Sequence, residues 1–259
     1  MTNKTGTLYL CATPIGNLED MTYRVVRTLN EVDVIAAEDT RNSIKLLNHF
    51  DIHTPMTSYH EYNKIEKGRI LVRQMLEGQN VALITDAGMP GISDPGEELV
   101  RMCRDAGVPV TALPGACACV TALVISGQST RRFCFEAFLP TDKKERKAIL
   151  EELKNETRTI ILYEAPHHLV GTLQELYQAL GNRRMTLCRE LTKKHETAFR
   201  TTIDDLMDFY KDEKPLGECV LVIEGRSRSE MEAEKRASWE EISIAEHVAM
   251  YEQQGNPRK

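Results

Sequence analysis

The stretch that decides the fold is TDAGMPGISDPG, which runs from Thr85 to Gly96 and directly follows the apolar run Val81–Ile84. An aliphatic run that ends in glycines, prolines and aspartates predicts a buried strand with a shaped loop at its carboxyl end. Ligands of open α/β sheets bind at that edge. A plain strand-to-helix connection needs about two to six residues. The longer stretch favours a ligand loop over the alternative, a rigid turn before a helix capped by Ser93 or Asp94.

Strands and helices alternate on both sides of that loop. Apolar runs at Thr7–Ala12, Val32–Ala37 and Val108–Ala112 predict further strands, and the stretches between them predict helices, one of them from Glu19 to Leu29. Such alternation indicates a mostly parallel sheet with helices on both faces. We assign residues 1–117 to an N-terminal α/β domain.

The pattern changes in the second half of the chain. Met185–Glu190 alternates like a strand, and Glu196–Thr202 is expected to be its hairpin partner. We therefore expect more antiparallel pairing and a mixed sheet in a C-terminal α/β domain at 118–225. A polar, helix-forming tail follows at 226–259.

Composition indicates a cytoplasmic protein without a membrane partner. Of the 259 residues 41% are hydrophobic and 28% charged, and no apolar run approaches the ~20 residues needed to span a bilayer. No signal peptide pattern opens the chain. The seven cysteines lie mostly in apolar runs without a Cys-x-x-Cys pair, which predicts reduced core residues and no metal site.

Charge is distributed unevenly along the chain. The net charge is −6, yet residues 129–200 carry 14 Lys and Arg against 10 Asp and Glu. A locally basic surface suffices to hold phosphates while the remainder stays acidic. The middle of the chain is therefore where an anionic partner is expected.

Five loops at predicted strand ends are candidates for one small-ligand site of mixed polarity. They are Thr13–Asn17, Glu38–Arg41, Thr85–Gly96, Leu113–Ala116 and Tyr163–His167. The chain has no Gly-x-Gly-x-x-Gly after its first strand and no Gly-x-x-x-x-Gly-Lys-Ser/Thr. A conventional dinucleotide or nucleoside-triphosphate site is therefore discounted.

Six ordered segments together resemble the tetrapyrrole methylase family. They are ATPIGNLED (12–20), AEDTR (37–41), the loop 85–96, FLP (138–140), YEAPH (163–167) and RELTK (189–193). More narrowly, they resemble its branch that 2′-O-methylates a cytidine in the decoding region of bacterial 16S ribosomal RNA. Relatives often continue with a small helical region, so a shortened tail is expected here.

The resemblance implies a two-domain class III methyltransferase that binds S-adenosyl-L-methionine between its domains and needs no metal. It also implies a homodimer that acts on 16S rRNA, within the small ribosomal subunit. The positions it assigns to the cofactor are Pro14, Gly16, Asn17, Asp86, Ala87, Gly88, Pro90, Gly91, Ser93, Asp94, Pro114, Gly115, Ala116 and Tyr163.

Methylation of a hydroxyl is helped by removal of its proton. The positions expected on the catalytic side are Asp39, Arg41, Glu164 and His167, with Glu190 and His195 as further candidates for a base. The sequence does not select one base. Asp39 and Arg41 equally fit an ion pair that caps a helix, and His167 fits a helix N-terminal residue.

RNA contacts are expected from the basic middle of the chain. The main candidates are Arg189, Glu190, Lys193, His195, Lys143 and Lys144, with further phosphate partners at Arg131, Arg132, Arg183 and Arg184 and stacking rings at Tyr59, His60, Tyr62 and Phe138. Each charge cluster alone also fits a solvated face.

Two alternatives stay open: a methyltransferase of the same family acting on a small, tetrapyrrole-like molecule, and a non-catalytic module that binds RNA or a nucleotide.

Overall fold

The computed structural model describes residues 5–229 and 231–233, and the first half of the chain forms a parallel sheet. Its five strands lie in the order β3-β2-β4-β1-β5. They are β1 (Leu8–Cys11), β2 (Val34–Ala37), β3 (Met56–Ser58), β4 (Val81–Ile84) and β5 (Val110–Leu113). The expected parallel sheet is confirmed, with the strand before the 85–96 loop at its centre.

Helices cover both faces of this sheet. Successive side chains of a strand point to opposite faces, so each strand contributes to two cores. They are α1 (Tyr23–Glu31), α2 (Thr40–His49), α3 (Lys64–Leu76) and α4 (Gly96–Asp105). Ile35 of β2 packs in one core with α1 and α2, whereas its neighbour Ala36 packs in the other with α3 and α4. The sheet is therefore buried on both sides, which explains its nearly continuous apolar strands.

The second half of the chain forms a mixed sheet in the order β6-β7-β10-β8-β9. Its strands are β6 (Phe133–Phe138), β7 (Thr159–Glu164), β8 (Arg184–Arg189), β9 (Thr197–Thr202) and β10 (Cys219–Ile223). Only β6 and β7 pair in parallel, and β8 and β9 form the expected antiparallel hairpin. The predicted two-sheet α/β class is confirmed.

Four helices pack on the second sheet. They are α5 (Ala118–Ser126), α6 (Lys143–Leu153), α7 (Leu169–Leu180) and α8 (Ile203–Phe209). The last three bury one face, and α5 lies on the other face against Ile161, Cys188 and Val222. No helix in the described part of the chain is long and apolar enough to cross a membrane.

The helix predicted from Glu19 to Leu29 begins later than expected. A 3₁₀ turn at Leu18–Asp20 comes first, and α1 starts only at Tyr23. The hydroxyl of Thr22 caps it by accepting a hydrogen bond from the Val25 N–H. The capping threonine, which the sequence interpretation overlooked, sets the true start.

The division between the two halves falls in a short connection. The first sheet ends at Leu113, and α5 already packs on the second sheet. The boundary at residue 117 stays a prediction, and most of the predicted tail at 226–259 lies outside the described residues.

Leu221→Ala tests the core of the second sheet. Leu221 is fully buried between Leu162 and Leu187, so its truncation should lower the free energy of unfolding by about 2–5 kcal/mol. Leu216→Ala is the matched control, because that side chain is 69% exposed. Urea unfolding followed by circular dichroism measures both. Equal losses in the two variants would contradict this assignment of the core.

Candidate functional site

A cavity of about 420 Å³ opens where the carboxyl ends of β2 and β4 face the second sheet. Its volume lies in the range of small-molecule sites. The first half of the chain contributes Ile15, Glu38, Thr85, Asp86, Ala87, Gly88, Met89, Ile92, Ser93 and Asp94. The second contributes Cys117, Ala118, Phe138, Tyr163, Glu164, Ala165, Pro166, Glu218, Cys219 and Val220. Both halves are needed to form this cavity.

The 85–96 loop is shaped mainly by one carboxylate. Both oxygens of Asp94 accept hydrogen bonds from the Gly91 N–H, and its Oδ1 also accepts one from the Gly96 N–H at 2.7 Å. A Cβ at Gly96 would lie 2.7 Å from Asp94 Oδ1 and 2.9 Å from Leu83, so only glycine fits. Gly91 has φ +86°, a conformation that favours glycine. Asp94 thus shapes the wall of the cavity from within the loop.

Asp86 ties this loop to the one that follows β2. Its Oδ1 accepts a hydrogen bond from the Asp39 N–H at 3.2 Å. Its Oδ2 accepts one from the Asn42 side-chain amide at 3.5 Å. Asp86 and Asp94 both line the cavity. Their contacts with the cofactor stay predictions, because their described hydrogen bonds are to groups of the protein itself.

Glu38 lies in the loop Glu38–Arg41, which the sequence placed at the ligand site without giving Glu38 a role of its own. Its Oε2 accepts a hydrogen bond from the Thr85 hydroxyl at 2.7 Å, which joins the ends of β2 and β4. Its position directly after β2, at the carboxyl end of a parallel strand, is the signal that singles it out. Glu218 was missed because it precedes an antiparallel strand, whose amino end lies at the same edge.

The described charged side chains that line the cavity are all acidic. Its lining contains carboxylates from both halves of the chain and, among the described residues, no Lys, Arg or His. The carboxylates are Glu38, Asp86, Asp94, Glu164 and Glu218. Such a lining suits a ligand with net positive charge and disfavours one held by its phosphates.

One wall of the cavity is aromatic. The Tyr163 ring lies 4.9 Å from the Phe135 ring and 5.6 Å from the half-exposed Phe138 ring, both edge to face. The Tyr163 hydroxyl accepts a hydrogen bond from the Cys119 N–H at 3.0 Å, and burial raises the pKa of this phenol. The phenol stays neutral and offers an apolar face to a ligand ring.

Asp39 and Arg41, two of the predicted catalytic residues, do not line the cavity. Asp39 caps α2, and its carboxylate accepts hydrogen bonds from the Arg41 guanidinium at 2.8 and 3.1 Å. These bonds hold the pKa of Asp39 down to about 2. The alternative of an ion pair that caps a helix describes their geometry, and a carboxylate so acidic is a weak base at neutral pH.

The other predicted catalytic residues differ in position. Glu164 is buried at the cavity, where its carboxylate accepts hydrogen bonds from the Thr172 hydroxyl and the Ala165 N–H. His167 is exposed outside the cavity, with its ring 4.0 Å from that of His168. Their catalytic roles stay predictions.

Several predicted cofactor residues do not line the cavity. They are Pro14, Gly16, Asn17, Pro90, Gly91, Pro114, Gly115 and Ala116. Gly115 packs on Ala12, from which an added Cβ would be 2.6 Å away, and Asn17 caps the 3₁₀ turn. Their contacts with the cofactor stay predictions. The predicted residues that do line the cavity are Asp86, Ala87, Gly88, Ser93, Asp94 and Tyr163.

Part of the predicted RNA-binding segment forms the rim of the cavity. The Lys193 ammonium donates hydrogen bonds to the carboxylates of Glu190 and Glu218 at 3.1 and 3.0 Å. Glu190 also accepts from the Glu218 N–H, so this pair of strand ends is held together. Arg189 ends β8 at the same edge and bonds the Tyr210 side chain.

The remaining RNA candidates are not brought to the cavity. Lys143 and Lys144 are exposed at the start of α6, and His195 is exposed on the loop before β9. The suggestion that Tyr59 stacks on a nucleotide is wrong. Its ring is 1% exposed, and its hydroxyl donates to the Pro95 carbonyl at 3.1 Å beneath the 85–96 loop.

Comparison with known proteins identifies the family. A profile described as tetrapyrrole (corrin/porphyrin) methylases matches residues 7–207. The chain belongs to the tetrapyrrole methylase family. This confirms the resemblance inferred from the six segments.

This methylase is similar to curated proteins over nearly its whole length. It is 50% identical to ribosomal RNA small subunit methyltransferase I of Halalkalibacterium halodurans, over 95% of this chain and 84% of that protein. It is 46% identical to the protein of the same name in Bacillus subtilis, over 98% of this chain and 87% of that protein.

Solved structures share the fold of this methylase at much lower identity. Uroporphyrin-III C-methyltransferase from Thermus thermophilus superposes with a TM-score of 0.59 at 20% identity, covering 84% of this chain and 94% of that one. Diphthine synthase superposes with a TM-score of 0.63 at 14% identity, covering 85% and 90%. These likenesses establish the two-sheet architecture alone.

A pair of thiols lies at the cavity of this methylase. Cys117 lines the cavity just before α5, and its Sγ lies 3.4 Å from that of the buried Cys119. A hydrogen bond from the Cys119 thiol lowers the pKa of Cys117, aided by backbone N–H groups at the start of α5. The other cysteines are buried, and burial raises the pKa of Cys11, Cys103, Cys134, Cys188 and Cys219.

Cys117 should therefore be the first cysteine to be alkylated by iodoacetamide at neutral pH. Its rate should fall as the pH drops through its lowered pKa, because the reactive thiolate is then lost. Cys119→Ala removes the hydrogen-bond donor and should slow the reaction, whereas Cys188→Ala is the control and should not. Mass spectrometry of tryptic peptides measures the rates. Similar rates at all cysteines would contradict the thiolate assignment.

Proposed function

We propose that this chain transfers a methyl group from S-adenosyl-L-methionine to the 2′-oxygen of a cytidine ribose in the decoding region of 16S rRNA. The observation that carries the proposal is the 50% identity, over 95% of the chain, to a protein named ribosomal RNA small subunit methyltransferase I. Family membership supplies the reaction class. The 2′-oxygen and the cytidine come from the six-segment resemblance.

The cavity has the right chemistry for the methyl donor. S-adenosylmethionine carries a sulfonium and an ammonium against one carboxylate, so its net charge suits the acidic lining of Glu38, Asp86 and Glu218. The aromatic wall at Tyr163 and Phe138 suits adenine. The start of α5 at Ala118 offers backbone N–H groups to the single carboxylate. A structure of the Thermus thermophilus relative is complexed with S-adenosylhomocysteine, at 18% identity and a TM-score of 0.59.

Catalysis by the chain's own residues is mainly orientation. When bound, the cofactor supplies a methyl group that its sulfonium already activates. The loop 85–96 and the wall at Tyr163 would hold the cofactor, while the rim at Lys193 and Glu218 would hold the ribose in line with it. Such orientation lowers a barrier by about 7–11 kcal/mol. A carboxylate at the cavity receives the proton of the hydroxyl.

The substrate side is the outer rim of the cavity. Arg189, Glu190 and Lys193 lie beside Glu218, and the Phe138 ring is 53% exposed for stacking on a splayed base. Lys143, Lys144 and His195 are exposed for phosphates farther out. The substrate is 16S rRNA within the small subunit, so the protein acts in the cytoplasm.

The active form in this proposal is a homodimer. The helix α5 has apolar residues around its whole circumference, and Val120, Val124 and Ile125 stay exposed on the side away from the sheet. Helices that are apolar all round are normally buried. A second copy would cover this face.

Methyl transfer from labelled S-adenosylmethionine tests the proposal. Assembled small subunits, free 16S rRNA and a uroporphyrin-type tetrapyrrole are offered in parallel, with subunits from cells that lack the modification. We expect label in the subunits, located on a cytidine ribose by nuclease digestion and mass spectrometry. Label on a base, label on the tetrapyrrole or no label in any RNA would contradict the proposal.

A further inference from the structure

Two adjoining clefts of about 640 and 610 Å³ open at the end of the second sheet that faces away from the cofactor cavity. They share the segment Glu224–Ser227, which follows β10. Together they form what we call the distal arginine surface. Its basic members are Arg131, Arg132, Lys154, Arg158, Arg183, Arg184, Arg226 and Arg228.

The charge of this surface opposes that of the whole chain. Among the described residues that line the two clefts, Glu224 is the one carboxylate, against eight basic side chains. Glu156, just outside the lining, pairs with Arg158 at 2.6 Å. Glu224 pairs with Arg184. Six of the eight basic side chains remain after these two ion pairs are subtracted, so the surface is strongly positive although the whole chain has a net charge of −6. Such a concentration raises the free energy of the folded protein unless an anion offsets it.

The floor of the surface is rigid because one buried arginine joins its walls. Arg183 is 9% exposed and donates hydrogen bonds to the carbonyl oxygens of Lys154, Glu156 and Glu224. These carbonyls belong to the segments that follow α6 and β10. The backbone segments that carry the basic side chains of the first cleft are thereby joined before any ligand arrives, which lowers the entropic cost of binding.

One exposed arginine of the surface, Arg184, is oriented by an ion pair at the edge of the sheet. Glu224 accepts two hydrogen bonds from the Arg184 guanidinium, at 3.0 and 3.3 Å, and the Arg184 side chain is 72% exposed. Arg131 and Arg132 are exposed and line the second cleft. A guanidinium group can donate two parallel hydrogen bonds to the oxygens of one phosphate. Arginine outnumbers lysine at this surface, which therefore suits phosphate groups.

The surface is separate from the cofactor cavity. In β7, Thr159 lies at the distal end and Glu164 lies at the cavity. Five residues of extended strand span about 17 Å, at roughly 3.3 Å per residue. A ligand of the distal surface therefore does not reach the reacting atoms.

We propose that the distal arginine surface binds the phosphodiester backbone of structured RNA, as a second contact that anchors the substrate remote from the methylated nucleotide. This inference rests on the proposed function. Recessed clefts fit a protruding sugar-phosphate strand better than the flat surface of a bilayer. Gln128, Ser129 and Ser227 in the same clefts add uncharged hydrogen-bond donors for phosphate oxygens. Contacts of this kind set position and affinity without reading sequence.

The test is the salt dependence of binding to small ribosomal subunits, measured with the full chain. In R131A/R132A two phosphate contacts are lost, so the slope of log K against log salt should become shallower by about two. R131K/R132K keeps both charges and should retain most of the slope. The matched control is R69A/R73A, which removes two exposed arginines from α3 on the other domain and should change nothing.

Four readouts decide the outcome. A slope for R131A/R132A equal to that of the unchanged protein overturns the inference, as does lost binding to phosphatidylglycerol vesicles with unchanged binding to subunits. Calorimetry with S-adenosylmethionine should give the same affinity for all variants, since the cavity is untouched. If the unchanged protein does not methylate rRNA, the proposed function fails, while the slopes still report separately on the surface.

Discussion

The site depends on one reciprocal pair of backbone hydrogen bonds. Thr13 and Gly88 each donate an N–H to the other's carbonyl, at 2.9 and 3.0 Å, and the Thr13 hydroxyl donates to the Thr85 carbonyl at 3.1 Å. These bonds fix the loop after β1 against the loop after β4. Gly88 has φ +86°, and an added Cβ there would lie 3.3 Å from Ile15 and 3.6 Å from the Ala116 carbonyl. Three loops that line or support the cavity therefore converge on a single glycine.

The molecule carries an acidic cavity and a basic surface at opposite ends of its second sheet. The cavity is lined by carboxylates and suits a cationic methyl donor, whereas the distal arginine surface suits a polyanion. Phosphates are repelled from the acidic cavity and held outside it, so the two ligands do not compete. This separation also explains how a chain of net charge −6 can act on RNA.

The sequence predicted the sheets and the loops at strand ends, because hydrophobic periodicity and glycine- and proline-rich loop segments are local signals. It did not predict which loop residues face the cavity. Asp39 belongs to a motif of the site, yet it does not line the cavity, and its carboxylate bonds the backbone and side chain of Arg41. Charge alone groups Lys143 and Lys144 with the RNA-binding residues, and only tertiary structure shows that α6 starts away from the cavity. Register across antiparallel strands, which brings Glu218 to the site, is likewise invisible in the sequence.

Hydrogen exchange with and without S-adenosylhomocysteine tests most directly whether one cavity, built by both halves of the chain, holds the cofactor. Backbone amides in the loop 85–96, at the start of α5 and in the segment 218–220 should all exchange more slowly in the complex. The amides around Arg183 should be unaffected. Protection confined to one half of the chain, or centred on the distal arginine surface, would contradict a site shared by both halves.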